Sequence, residues 1–241
     1  ACNQINIDID TGRTTSRSWT ISVKQYECGS TSVPQEDCLQ YHTGKTGKFF
    51  SFAWDTSVTT LSTTSHVHLA SQYYDICFRR ERGYCSICFS PTITGTNAAI
   101  IRTSFGISAS GVGTASTAVT GSLCGSTITA ATSTSLAYQD YIEVINLQVA
   151  TAAIAAITHT VGRNKICGQK FSAAPGATGL VSATACTFTT PFRWGVRFNQ
   201  AEALSTLLIA GTGDARNLWE NFGLGGGGTH GFYMDYWQVA C

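Results

Sequence analysis

The segment Phe232-Tyr233-Met234-Asp235-Tyr236-Trp237-Gln238-Val239-Ala240-Cys241 decides the fold class. Its β-branched and aromatic residues alternate, and a period of two sends successive side chains to opposite faces of an extended strand. The same alternation marks Ile5, Ile7 and Ile9, then Trp19, Ile21 and Val23, then Phe192, Trp194, Val196 and Phe198. Tyr141-Ile142-Glu143-Val144-Ile145 shares the composition, and turn clusters such as Thr43-Gly44-Lys45-Thr46-Gly47 separate the runs. Half-buried strands throughout predict an all-β sandwich. The Ala-rich stretch Val149 to Ile157 is the best helical candidate and adds at most a turn or two.

A second segment resembles the first. Trp19-Thr20-Ile21-Ser22-Val23-Lys24-Gln25-Tyr26-Glu27-Cys28 lines up without gaps on Phe232 to Cys241, sharing the apolar alternation, the Gln and the closing Cys. An internal repeat explains this, with Cys2 and Cys186 as the preceding cysteines of the two ends; a chance likeness between aromatic strands is the plainer alternative. Residues Gly29 to Asp37 form a polar, Pro-containing linker (29–37), after which a new unit, 38–241, opens at Cys38-Leu39-Gln40-Tyr41. The Ser, Thr, Ala and Gly-rich stretch from Thr103 to Ser135 contains strand-like pieces such as Ser104 to Ser108, so long hairpin loops in one expanded sandwich are preferred to two small domains.

Composition excludes several function classes. The 241 residues carry 15 Lys plus Arg against 14 Asp plus Glu, a net charge of +1, so no broad basic surface exists for nucleic acid. Only 12% of residues are charged. Ser and Thr together supply roughly a quarter, so the surface is hydroxyl-rich and little charge repulsion opposes self-association. Ten cysteines suit an oxidising compartment and up to five disulfides, which predicts a secreted, extracellular protein. The opening Ala1-Cys2-Asn3-Gln4 has neither region of a leader peptide, and Val149 to Ile157 is about half the length needed to cross a bilayer. No membrane anchor is expected. No Asn-x-Ser/Thr triplet occurs.

Chemistry-bearing patterns are weak. Cys85-x-x-Cys88 has redox spacing but lies between apolar residues, without the strand-to-helix context that lowers a thiolate pKa. There is no second C-x-x-C for zinc, and His66 and His68 are two residues on one face of a polar strand. No G-x-S-x-G accompanies His42, His66, His68, His159 or His230, and Leu39 stands where a phosphate loop ending in Gly44-Lys45-Thr46 requires glycine. No enzyme activity and no cofactor are expected.

Cys38-Leu39-Gln40-Tyr41, Thr43-Gly44 with Gly47, Phe50-Ser51-Phe52, Leu69 through Tyr74 and Cys77 resemble the front of a CUB domain. Cys124-Gly125, Asp140-Tyr141-Ile142-Glu143-Val144, Ile166-Cys167-Gly168, Pro191-Phe192 and Gly231-Phe232 through Cys241 are similar to that family's second cysteine pair, its D-Y-[IV]-x-[IV] strand, its C-G turn and its ending. Arg79-Arg80-Glu81-Arg82-Gly83-Tyr84-Cys85 resembles a segment of long CUB-containing arthropod proteins. The resemblance spans Cys38 to Cys241 and implies a CUB-like antiparallel β-sandwich of jelly-roll type with long loop insertions. Residues 1–28 look like the C-terminal strands of a preceding CUB-like unit. Those strands cannot bury two faces alone, so an upstream fragment of the same precursor, another copy, or the rest of this chain must complete them.

The resemblance implies Cys38 paired with Cys77 and Cys124 with Cys167; the repeat adds Cys186 with Cys241 and Cys2 with Cys28. Cys85 and Cys88 remain, either closing a small ring through a turn or bulge or reaching outside the chain. Many CUB domains hold calcium with loop carboxylates. Asp140 matches one such position, but the upstream Glu is missing and Asn199 stands for the usual later Asp, with Glu202 three residues on, so no metal is assigned. Arg80 and Arg82 would share one face of a strand as weak binding candidates, against the plainer reading of a charge-protected edge. The expected function is a non-enzymatic extracellular module that binds other protein chains as a unit of an assembly. The alternatives are a carbohydrate or ligand receptor using Trp54, Tyr73 or Trp237 as a stacking platform, and a non-catalytic chain of a secreted protease.

Overall fold

A computed structural model describes residues 4–7, 18–30, 33–34, 36–52, 54, 68–92, 104–107, 118–120, 124, 140–149, 163–168, 171, 184–198 and 231–241. The chain divides into two compact units, Ala1–Val33 and Pro34–Cys241. In the second, the regular structure of the described residues is all strand: β1 (Cys38–His42), β2 (Thr46–Phe50), β3 (Tyr73–Phe78), β4 (Tyr84–Pro91), β5 (Phe105–Gly106), β6 (Ala118–Thr120), β7 (Tyr141–Val149), β8 (Arg163–Gly168), β9 (Ala185–Thr187), β10 (Phe192–Arg197) and β11 (Gly231–Ala240).

The strands form two layers. One runs β1-β3-β10-β7-β8-β6, and the other runs β2-β11-β4-β9, with the end of β7 also pairing β9 and so joining them. All pairs are antiparallel except β1 with β3. Alternation sets the faces as the sequence predicts. Ile76 and Phe78, Ile142 and Val144, and Phe192, Trp194 and Val196 point inward from the first layer and meet Phe49, Ile87, Phe89, Phe232, Met234 and Tyr236 from the second. Trp194 is fully buried, with ring centroids of Phe49, Phe89 and Phe232 at 5.1, 5.0 and 5.4 Å. The Phe49 and Phe89 contacts are edge-to-face, and such pairs add about 0.5–1.5 kcal/mol each beyond their burial. Gly231 opens β11 at φ +89°, where a Cβ would stand 2.2 Å from Ser51 Oγ; Ser51 and Phe232 exchange hydrogen bonds there and stitch the loop after β2 to β11.

The disulfides correct part of the cysteine reading. Cys38–Cys77 and Cys124–Cys167 form as the family resemblance implies. The expected Cys186–Cys241 pair does not: Cys241 bonds Cys85, and Cys186 bonds Cys88. The reason is strand order. β4 lies between β11 and β9, the register places Ala240 opposite Tyr84, and Cys186 lies directly opposite Cys88. Residues three apart on a strand point to opposite faces, so Cys85 and Cys88 serve different neighbours instead of closing a ring.

In the first unit, the runs around Ile5 and from Trp19 to Val23 are not the half-buried strands expected of them. Residues 4–7 and 18–26 show no sheet pairing, and Ile5, Ile7, Trp19, Ile21, Val23 and Tyr26 are exposed. No sheet among the described residues offers them a ladder partner. Cys28 is exposed and unpaired among the described residues, and Cys2 lies outside them. The helical candidate contributes only Val149, the last residue of β7; its remainder also lies outside the described residues.

Candidate functional site

The outward positions of the first layer gather much of the charge of this charge-poor chain. Asp75 on β3, Arg193 and Arg197 on β10 and Glu143 on β7 are brought together by pairing: Gly195 is opposite both Asp75 and Glu143, flanked by the two arginines at the next outward positions. Arg197 Nη2 lies 2.8 Å from Asp75 Oδ1 and 3.5 Å from Glu143 Oε2, and Arg193 Nη1 lies 3.2 Å from Asp75 Oδ2. Arg197 also donates from Nη1 to the Tyr74 carbonyl at 3.0 Å. Its guanidinium sits 4.2 Å from the centroid of the Tyr73 ring. Gly195 makes this possible, since a Cβ there would stand 2.8 Å from Arg197 Nη2. Lys165 on β8 faces Glu143 across the ladder and stacks over Tyr141 at 4.3 Å, continuing the alternation of charge.

Beside this lattice lies a cleft of about 560 Å³ lined by Asp37, Cys38, Leu39, Tyr73, Tyr74, Asp75, Arg193 and Arg197. Tyr73 is 79% exposed and Leu39 61%, while burial pushes the hydroxyl of neighbouring Tyr74 up to about 12. Among the described residues β1 has a sheet neighbour on one side only, and the cleft is lined from β1, β3 and β10. A smaller cleft of about 390 Å³ lies at the far end of β3, lined by Tyr41, Phe78, Arg79, Arg80, Pro191 and neighbours. The face therefore pairs a fixed charge lattice with exposed aromatic and aliphatic surface.

The residues singled out by sequence fall in different places. Arg80 and Arg82 do not share a strand face: both are exposed in the turn between β3 and β4, where Gly83 at φ +83° reverses the chain. The local ion pair belongs to Arg79, whose Nη2 is 2.9 Å from Glu81 Oε1. The Gly44 amide donates to that carboxylate and, with Arg79, holds Glu81 below the ordinary carboxylate range. Of the three aromatic residues proposed as a platform, Trp54 is buried, Trp237 is partly covered and Tyr73 stands open. Asp140 is buried just before β7, its Oδ2 3.8 Å from Nε2 of buried His68, which packs its ring 4.2 Å from Phe198. Burial lowers the His68 pKa against the pull of that carboxylate. Glu202 and His66 lie outside the described residues, and among those described no cluster of three metal-binding side chains occurs.

Sequence reasoning missed Asp75, Glu143, Arg193, Gly195 and Arg197 as a group. The signal was present: in Phe192 to Phe198 the residues between the core positions are Arg, Gly and Arg. Only the β3-β10-β7 register puts carboxylates against them.

A model of the animal CUB domain matches residues 35–239. No curated protein and no solved structure matches the chain.

Proposed function

This chain belongs to the animal CUB domain family, and from that premise we propose that it is a non-catalytic extracellular module that binds other protein chains and serves as a structural unit of an assembly. The observation that carries the reading is the outer face of the first layer, where Tyr73 and Leu39 stand exposed beside the Asp75–Arg193–Arg197–Glu143 lattice and beside β1, which among the described residues pairs on one side only. Ion pairs already satisfied within the face leave its charges in fixed positions, so a partner meets a rigid pattern and loses less entropy on binding. Four disulfides support an oxidising, secreted setting. We also read the Arg79 to Cys85 segment as kinship with the long arthropod CUB proteins.

The test is sedimentation of the purified protein beside the Tyr73→Ser and Leu39→Ser double variant. Both side chains are exposed, so the fold is retained. The wild type is expected to associate and the variant to do so at least about tenfold more weakly, the loss of roughly 1.4 kcal/mol that a contact residue gives. Equal association by the two proteins would remove this face from the reading. The exposed Tyr73 ring also favours a second reading, a carbohydrate-binding module. Retention on a glycan array that Tyr73→Ser abolishes would establish it in place of the first.

A further inference from the structure

The turn between β1 and β2 and the turn between β3 and β4 meet at one end of the second unit, where the Gly44 amide donates to Glu81 Oε1 at 2.8 Å. They bring together four of the chain's 15 basic residues: Lys45 from the first turn, and Arg79, Arg80 and Arg82 from the second. Glu81 is the one acidic side chain within residues 41–48 and 77–85. Arg79 takes it, through Nη2 at 2.9 Å and Nε at 3.0 Å. Lys45 stands 5.2 Å over the Tyr84 ring, and among the described residues no carboxylate pairs with Lys45, Arg80 or Arg82. In a chain whose net charge is only +1, this end is left with three uncompensated cations.

The frame that carries them is fixed. The Gln238 amide accepts from the Glu81 N–H at 2.9 Å and donates to the carbonyls of Arg79 at 2.7 Å and Gly44 at 3.1 Å, so one side chain of β11 clamps both turns. The Arg79 N–H donates to the His42 carbonyl at 2.9 Å, and the Cys241 N–H to that of Gly83 at 3.0 Å. The Cys85–Cys241 bond closes the same end. A ligand therefore meets cations on backbone that is already ordered, which lowers the entropy lost on binding.

A receptacle adjoins the charge. Arg79 and Arg80 line the cleft of about 390 Å³ together with Tyr41, Thr190 and Pro191, a volume within the range of about 300–1,000 Å³ that small-ligand sites occupy. A guanidinium matches two oxygens of a sulfate or carboxylate with parallel N–H donors. The Tyr41 and Pro191 rings offer surface to the C–H face of a sugar, and the Thr190 hydroxyl can bond a sugar hydroxyl. Three free cations are too few for a nucleic-acid backbone, where binding draws on many phosphate contacts. A flexible acidic peptide brings carboxylates but no ring. A sulfated sugar brings fixed anions on a rigid ring and fits both halves of the site.

We propose that this end of the module binds sulfated saccharides, with sulfate groups on Arg80, Arg82 and Lys45 and a sugar ring in the cleft beside Tyr41. The site lies at the opposite end of β3 from Tyr73, so it goes beyond the assembly reading and does not depend on it.

The test is titration calorimetry of a heparin hexasaccharide into the purified protein at about 0.15 M salt, with the desulfated hexasaccharide and polyglutamate as comparison probes. The sulfated probe is expected to bind and the other two not. Arg80→Gln combined with Arg82→Gln should weaken binding at least about tenfold. Lys45→Gln, in the other turn, should weaken it as well, and the urea midpoint of both variants should match the wild type's, so that the loss is one of contact and not of fold. Tyr73→Ser should leave binding unchanged, which separates this inference from the assembly reading. No binding of the sulfated probe, equal binding of either comparison probe, undiminished binding by the arginine variant, or loss through Tyr73→Ser overturns the proposal.

Discussion

Cys85 is bonded to Cys241, and this bond fastens the last residue of the chain to the central strand of the second layer. It closes a loop of 156 residues. In the chain-entropy view a loop of that length restricts the unfolded state by about 4–5 kcal/mol, and native bridges measure about 2–5. Replacing both cysteines by Ala is expected to lower unfolding free energy within that range in a denaturant titration. A loss under about 1 kcal/mol would show that β11 is held by its ladder alone.

The Gly195–Arg197 contact is expected to be visible as a coupling. Gly195→Ala drives a methyl into the guanidinium and displaces it from Asp75 and Glu143, at a cost of about 1–2 kcal/mol. In an Arg197→Met background most of that cost should vanish. Full additivity in the double-mutant cycle would mean that the methyl strains the backbone instead.

Gln238 makes three hydrogen bonds from a buried side chain. Gln238→Leu keeps the volume and strands the Glu81 amide and the Arg79 and Gly44 carbonyls, so a loss of about 2–3 kcal/mol is expected. Thermal melts of the variant should show it, and an unchanged midpoint would mean that water replaces the amide.

Acid should weaken the fold before its carboxylates titrate. Burial holds His42 and His68 below the imidazole value of 6.5 that the unfolded chain shows. Below that pH the unfolded state binds more protons, so the stabilisation from neutral imidazoles is complete above about pH 6.5 and is lost as pH falls. His42→Phe keeps the stack on Phe78 and removes one such group, so its stability should decline less between pH 7 and 5. A decline as steep as the wild type's would place the acid sensitivity elsewhere.

How much of this was legible follows from range. The strands β7, β10 and β11 were readable because period-two alternation is local: Trp194 and Val196 declare their face without knowledge of any neighbour. The Cys38–Cys77 and Cys124–Cys167 bonds were accessible because a family pattern carries them. The Cys85 and Cys88 partners were not, because they depend on β4 lying between β11 and β9, an order that no spacing encodes. The charge lattice was hidden for the same reason, its members coming from three strands far apart in sequence. The Ile5 and Trp19 runs show the converse: the alternation is there, but among the described residues they pair with no sheet.

The mass of the native protein, measured with and without reductant, tests the central claim most directly. If the chain is one unit of an assembly, the native particle is heavier than the single chain that remains after reduction and unfolding. A single species of that mass under both conditions would contradict the account.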